Sequence, residues 1–267
     1  MTTLAQLMRA SGIGSSDARV LLRTALAVND AYLVAHADEE CAVEHATQFR
    51  ALAARRAAGE PVAYIVGERE FYGHTYTVSP AVLIPRPESE LLVELVLQRK
   101  PGSVLDLGTG SGCIAISIAL AQPAAHVTAI DQSAAALEVA RANAMQLHAP
   151  NVTLRASHWF NQLPEQRFEA IVSNPPYVAA GDAHLAQGDL RFEPVAALTA
   201  GADGLADIRV IVAGAHAHLA PGGWLWFEHG YDQALRCREL LVQAGFGDVQ
   251  SWRDLAGIER VSGGRAR

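Results

Sequence analysis

The chain has 267 residues, half of them hydrophobic and 18% charged, with a formal net charge of −7. That length can bury a substantial core in one domain or in a large domain beside a small one, and no apolar run approaches the ~20 residues that a membrane-spanning helix needs. The acidic balance argues against a nucleic-acid substrate, because neutralising phosphates with basic side chains supplies much of that affinity.

The start, Met1-Thr2-Thr3-Leu4-Ala5-Gln6, carries neither the basic head nor the apolar core of a secretory signal, so a cytoplasmic protein is expected. Short helices are predicted up to about residue 58. Ser15-Ser16-Asp17 offers N-cap chemistry for a helix from Ala18 to Ala27, and Asn29-Asp30 offers a second cap. A longer helix is predicted from Val43 to Ala58, closed by Gly59 and Pro61. Tyr64 to Val78 reads as a β-hairpin turning at Gly73-His74. The domains expected are thus a helical one over 1–60, a hairpin linker over 61–84 and a larger one over 85–267.

From Glu88 the pattern alternates strand and helix. Strands are predicted at Ser103–Leu107, His126–Ile130, Val152–Arg155, Phe168–Ser173 and Trp224–Glu228, with helices at Gly112–Ala121, Ala134–Leu147, Gly204–Leu219 and Tyr231–Ala244. Gly247–Trp252 and Ile258–Val261 read as a terminal antiparallel pair. Such alternation implies an α/β fold, a mostly parallel sheet covered by helices on both faces.

Gly108-Thr109-Gly110-Ser111-Gly112 joins the first of these strands to its helix. Its glycines allow a sharp turn and close approach to a ligand, and the helix N-terminus behind them presents free N–H groups. Cys113 stands where a dinucleotide fingerprint would place its third glycine, which favours a ligand without a pyrophosphate, such as S-adenosylmethionine. Asp131, at the end of the second strand, is placed to accept hydrogen bonds from ribose hydroxyls or to cap the following helix, a task Ser133 could equally serve. Asp106 is expected to organise the loop or meet the methionine amine. Trp159 could flank the adenine or simply fill the core. Cys41, Cys113 and Cys237 lack C-x-x-C spacing and the ten histidines lack ligand spacing, so neither disulfides nor a metal site are expected.

Asn174-Pro175-Pro176-Tyr177 follows the fourth strand, at the edge where open α/β sheets bind ligands. The prolines remove two donors and stiffen the chain, leaving backbone carbonyls free, and Asn174 adds a side-chain acceptor. Two rigid acceptors suit a planar –NH2 group, against whose plane the Tyr177 ring can lie. Holding both N–H bonds would aim a delocalised lone pair at a sulfonium methyl and stabilise charge growing on nitrogen. On this motif alone the acceptor is glutamine, adenine or cytosine.

Gly59-Glu60-Pro61-Val62-Ala63-Tyr64-Ile65-Val66-Gly67, Phe71-Tyr72-Gly73, Leu83-Ile84-Pro85-Arg86-Pro87-Glu88-Ser89-Glu90, Arg191-Phe192-Glu193-Pro194, Asp203-Gly204-Leu205, Glu228-His229-Gly230 and Asp254-Leu255-Ala256-Gly257 with Arg260 carry a broader likeness. With the two loops, they make the chain resemble the PrmC/HemK family of peptide chain release factor glutamine N5-methyltransferases. The resemblance implies a class I (Rossmann-like) methyltransferase fold behind a helical substrate-recognition domain. It implies S-adenosylmethionine contacts at Gly108 to Gly112, Asp131, Trp159 and Asn174, and glutamine binding and catalysis by Asn174, Pro175, Pro176 and Tyr177. The implied substrate is the Gly-Gly-Gln glutamine of class 1 release factors, handled by a monomer without nucleic acid or membrane. A ribosomal-protein glutamine or a nucleic-acid adenine N6 are the alternatives. Ser89 departs from the family's usual threonine but keeps the hydroxyl. Arg86 is expected to close over the cofactor or to pair with Glu88 or Glu90, and Glu228 and His229 to be supporting structure.

Overall fold

The computed structural model describes residues 2–163 and 165–267. It comprises two compact units, one of residues up to Glu68 together with His184–Phe192, the other of Arg69–Ala183 and Glu193–Arg267.

The first unit holds helices α1 (Leu4–Arg9), α2 (Ser15–Leu26), α3 (Asp30–Ala35), α4 (Val43–Ala57) and α5 (Val62–Val66). Thr3 and Gln6 form a reciprocal capping box on α1, and Asn29 caps α3 through Tyr32 N. Helix α2 begins earlier than its sequence suggests. Its N-cap is Gly14, without a side-chain cap, and Ser15 to Asp17 already lie in the first turn, where Asp17 meets the positive end of the helix and pairs with Arg56 at 2.6 Å. Tyr64 to Val66 are helical rather than extended: Pro61 leads into α5 and Gly67, at φ 84°, ends it. Leu21, Leu22, Leu33 and Phe49 fill this unit's core. Arg56 also holds Asp189 at 2.9 Å, tying the 184–192 excursion to α4.

The second unit opens with a hairpin, β1 (Glu68–Phe71) and β2 (His74–Thr77). Its turn falls at Tyr72-Gly73, both at positive φ, as a two-residue hairpin loop requires. There follow α6 (Glu90–Arg99), β3 (Ser103–Leu107), α7 (Cys113–Ala121), β4 (His126–Asp131), α8 (Ala134–Gln146), β5 (Val152–Ala156), β6 (Phe168–Ser173), α9 (Ala206–His218), β7 (Leu219–Glu228), α10 (Ala234–Gln243), β8 (Gly247–Arg253) and β9 (Glu259–Arg265). The seven strands run in the order β5-β4-β3-β6-β7-β9-β8. Strands β3 to β7 pair in parallel, and β9 is inserted antiparallel between β7 and β8.

Period-two alternation splits the core between the sheet's faces. Val104, Val172, Trp224 and Trp226 join α6 and α7 on one side, whereas Leu105, Ile171, Leu225 and Phe227 join α9 and α10 on the other. Helix α7 is buried from Cys113 to Ala119, which explains its lack of a polar face. From β3 the chain builds outward to β4 and β5, then returns to β3's other side with β6. The carboxyl ends of β3, β4 and β6 therefore flank a topological switch point, where such sheets open a crevice. No helix among the described residues is long and apolar enough to cross a membrane.

Candidate active site

A cavity lies at that switch point. It is lined by Gly108 to Ser111 after β3, Asp131 and Ser133 after β4, His158 and Trp159 after β5, and Asn174 and Pro176 after β6. Arg86 and Ser89, ahead of α6, and Pro194 close another side.

The glycine loop is fixed by its neighbours. Gly112 sits at φ 82°, and a Cβ there would lie 2.8 Å from Ile116 Cδ1 and 3.2 Å from Ala140 Cβ, so α7 and α8 approach only because it is glycine. A Cβ on Gly110 would meet nothing within 4 Å, since that residue faces open space. Thr109 N donates to Ile130 O at 2.8 Å, and its hydroxyl donates to Asp106 Oδ2 at 2.6 Å. Asp106 is fully buried, away from the cavity lining. Burial raises its pKa to about 7, with Thr109 opposing the shift and Asp131 adding to it. Asp106 thus organises the loop. Asn143, buried on α8, donates to Ser111 O at 2.8 Å and also pairs with both backbone groups of Thr77 on β2.

Asp131 holds the two sides of the crevice together. Its Oδ2 accepts from Gly110 N at 2.9 Å and its Oδ1 from Ser133 N at 2.8 Å. Ser133, not Asp131, caps α8, accepting from Ala136 N. Trp159 lies at φ 48° with its ring against Gly108 while also packing in the core beside Leu107 and Ile130, so it both fills the core and lines the cavity.

Asn174 and Pro176 face the cavity, whereas Pro175 is buried and Tyr177 is turned toward the core. Asn174 Nδ2 donates to Ser89 Oγ at 2.8 Å, and Ser89 Oγ donates to Glu228 Oε2 at 2.5 Å. Tyr177 OH donates to the other Glu228 oxygen at 3.0 Å. Glu228 is 1% exposed; burial raises its pKa, and the Ser89 and Tyr177 hydrogen bonds work against that rise. The adjacent Glu228 charge pushes the Tyr177 phenol well above its usual range. Gln233 Nε2 holds the Tyr177 carbonyl at 3.0 Å, and Gly204 passes so close that a Cβ would sit 2.3 Å from that oxygen.

Arg86 pairs with the buried carboxylate of Glu193, not with Glu88 or Glu90; Glu193 comes from the chain's return after the 184–192 excursion. Burial lowers the pKa of His229. Its Nδ1–H donates to Gly230 O and its Nε2 accepts from Ser262 Oγ, so it braces β7 against β9 outside the cavity lining. Sequence reasoning missed Asn143, Gln233 and the linking role of Ser89. Ser89 and Gly204 do stand within motifs that carried the family likeness, whereas Asn143 has no local signal.

Comparison with known proteins agrees with this architecture. The PrmC N-terminal domain matches residues 2–67 and the Methyltransferase small domain matches residues 87–192. The release factor glutamine methyltransferase of Burkholderia pseudomallei is 55% identical over 98% of this chain and 96% of its own length. That of Bordetella pertussis is 54% identical over 99% of both. A methyltransferase structure from Pyrococcus furiosus covers 79% of this chain and 95% of its own at 21% identity and a TM-score of 0.56, a likeness of fold alone. Matched from end to end at more than half identity, with the small helical domain met as well as the sheet, the chain belongs to the release factor glutamine methyltransferase family.

Proposed function

We propose that this protein methylates the side-chain amide nitrogen of the glutamine in the Gly-Gly-Gln motif of class 1 peptide chain release factors. The observation that carries the reading is the Asn174 carboxamide: its nitrogen is held by Ser89, and Asn174 and Pro176 line the same cavity as the glycine loop and Asp131. Family membership supports glutamine over adenine as the acceptor.

The residues present suit S-adenosylmethionine. Gly110 opens onto free space that a backbone-bound ligand can enter, and Asp131 keeps lone pairs for ribose hydroxyls beyond those engaged by Gly110 and Ser133. The remainder of Gly108 to Gly112 would hold the ligand's amino-acid part, Trp159 would flank its adenine and Asn174 would border the methyl. Bound there, S-adenosylmethionine supplies a sulfonium methyl group and leaves as S-adenosylhomocysteine.

An amide nitrogen is a poor nucleophile because its lone pair is delocalised. Asn174 Oδ1 and the rigid prolyl backbone accept its two N–H bonds, which turns the lone pair toward the cavity and stabilises positive charge as it grows on nitrogen. The methylated nitrogen then sheds a proton readily, so no dedicated base is required. Tyr177, its hydroxyl fixed by Glu228 and its ring packed against the core, holds the end of the tetrapeptide in place. The helical unit is the part that recognises the release factor, and the enzyme acts as a cytoplasmic monomer on protein rather than nucleic acid. Tritiated-methyl transfer to release factors, ribosomal proteins and duplex DNA, with the labelled peptide located by mass spectrometry, tests this. Labelling of the Gly-Gly-Gln peptide is expected; labelling of DNA or ribosomal protein instead would overturn it.

A further inference from the structure

Glu228 has an unusual set of partners for a buried carboxylate. Among the described residues no guanidinium or ammonium forms an ion pair with it. Its two oxygens are met by hydroxyls, from Ser89 at 2.5 Å and Tyr177 at 3.0 Å. Burying a charge without a cationic partner is unfavourable, and an apolar side chain of similar size would avoid the penalty. Besides the two hydroxyl hydrogen bonds, Arg260 at longer range favours the charged form, and Glu88 disfavours it.

The donor and acceptor inventory shows what the arrangement achieves. A carboxylate only accepts, so the single Ser89 hydroxyl hydrogen is committed to Glu228. Ser89 Oγ can then offer Asn174 only a lone pair, which selects the amide nitrogen at 2.8 Å. The Asn174 carbonyl is left on the opposite branch, and no described side chain donates to it. Were the carboxamide reversed, two N–H groups would stand where the reaction needs an acceptor.

We propose that Glu228 is a positioning residue which, acting through Ser89, fixes the orientation of the Asn174 carboxamide so that Oδ1 is presented to the substrate –NH2 group. Its other oxygen holds the Tyr177 hydroxyl at the end of the same tetrapeptide. The inference rests on the amide-methylation reading for its kinetic consequence, but the amide's orientation can be observed without substrate.

Ser89→Ala cuts the relay with minimal change in volume. Two measurements follow on the full chain. With 15N-asparagine labelling, and Asn174→Ala to assign the signal, the Asn174 Nδ2 hydrogens should exchange slowly with solvent in the wild type and rapidly in Ser89→Ala. In single-turnover methyl transfer to a release factor at saturating cofactor, Ser89→Ala should lose about 10- to 100-fold in rate, the scale of misplacing a reacting group. Ser89→Thr, which restores the hydroxyl, should recover most of that loss, and Glu228→Gln, which can donate to Ser89 and release its hydrogen, should lose rate like alanine. Unchanged amide exchange and unchanged rate in Ser89→Ala would overturn the relay. If the wild type fails to label release factors, the functional reading falls, and the amide exchange alone decides whether the relay exists.

Discussion

The Asn143 carboxamide lies 2.8 Å from the Ser111 carbonyl although the two residues are 32 positions apart. The same side chain pairs with Thr77 N at 2.8 Å and Thr77 O at 3.0 Å, so one buried group joins α8, the hairpin and the glycine loop. Asn143→Ala should therefore destabilise the fold by about 1–3 kcal/mol, the usual consequence of stranding buried partners. It should also weaken S-adenosylmethionine binding by loosening the loop. Urea unfolding and calorimetry measure the two effects, and a variant of normal stability would refute the linkage.

Asn174→Ala is expected to slow single-turnover methyl transfer about 100- to 1,000-fold, as for loss of one preorganised group at a developing charge. Asn174→Asp keeps acceptor oxygens and should retain more activity than alanine, although its charge faces Ser89 and the buried Glu228 network. Saturating cofactor separates this defect from binding.

For Asp131→Ala, cofactor affinity should fall by about 1.5–3 kcal/mol, the range for a charged hydrogen-bond partner. Gly110 N and Ser133 N also lose their acceptor, so the loop itself should loosen. Calorimetry giving wild-type affinity with an intact fold would remove Asp131 from the site.

Tyr177→Phe keeps the ring but removes one of two donors to buried Glu228. A stability loss of about 1–3 kcal/mol is expected by denaturant titration, since a buried carboxylate is left under-satisfied. Because Tyr177 packs toward the core and Asn174 still faces the cavity, the turnover defect should be smaller than that of Asn174→Ala.

Asp106 supplies a pH dependence. Its pKa rises from the ordinary carboxyl range to about 7 in the folded chain, so the folded state binds the proton more tightly than the unfolded state. Its contribution to stability is complete below about pH 4 and is lost as pH rises through about 7. Asp106→Asn should flatten the stability profile between pH 4 and 8 relative to wild type. A difference profile with the opposite slope would contradict the assignment.

The strand and helix sequence was legible because apolar runs and glycine boundaries are local. Ser103–Leu107 and Phe168–Ser173 match their predicted limits, and the class I sheet with its terminal antiparallel pair follows the expected order. Both loops were legible for the same reason. What was not legible depends on partners brought together by the fold: Ser89 and Glu228 are 139 positions apart, and Arg86 and Glu193 are 107. Arg86 was expected to close over the cofactor or to pair with Glu88 or Glu90; it does line the cavity, but its ion-pair partner is a buried carboxylate that the sheet topology delivers from beyond β6. Around Tyr64 the aromatic and β-branched residues suggested a strand, but Pro61 and Gly67 bracket a helical turn instead.

His184–Phe192 belongs to the helical unit, although it is covalently part of the sheet unit's chain, between the tetrapeptide and Glu193. Chain order and folding membership therefore disagree, and a gene that begins after Glu68 would not yield a clean catalytic module. Such a fragment would carry Asp189 with no Arg56 to hold it, at the end of a segment that begins just past Tyr177. The small helices cannot be exchanged for another helical unit by a single crossover, because the stretch His184–Phe192 completes them. Any successful graft must replace both pieces together.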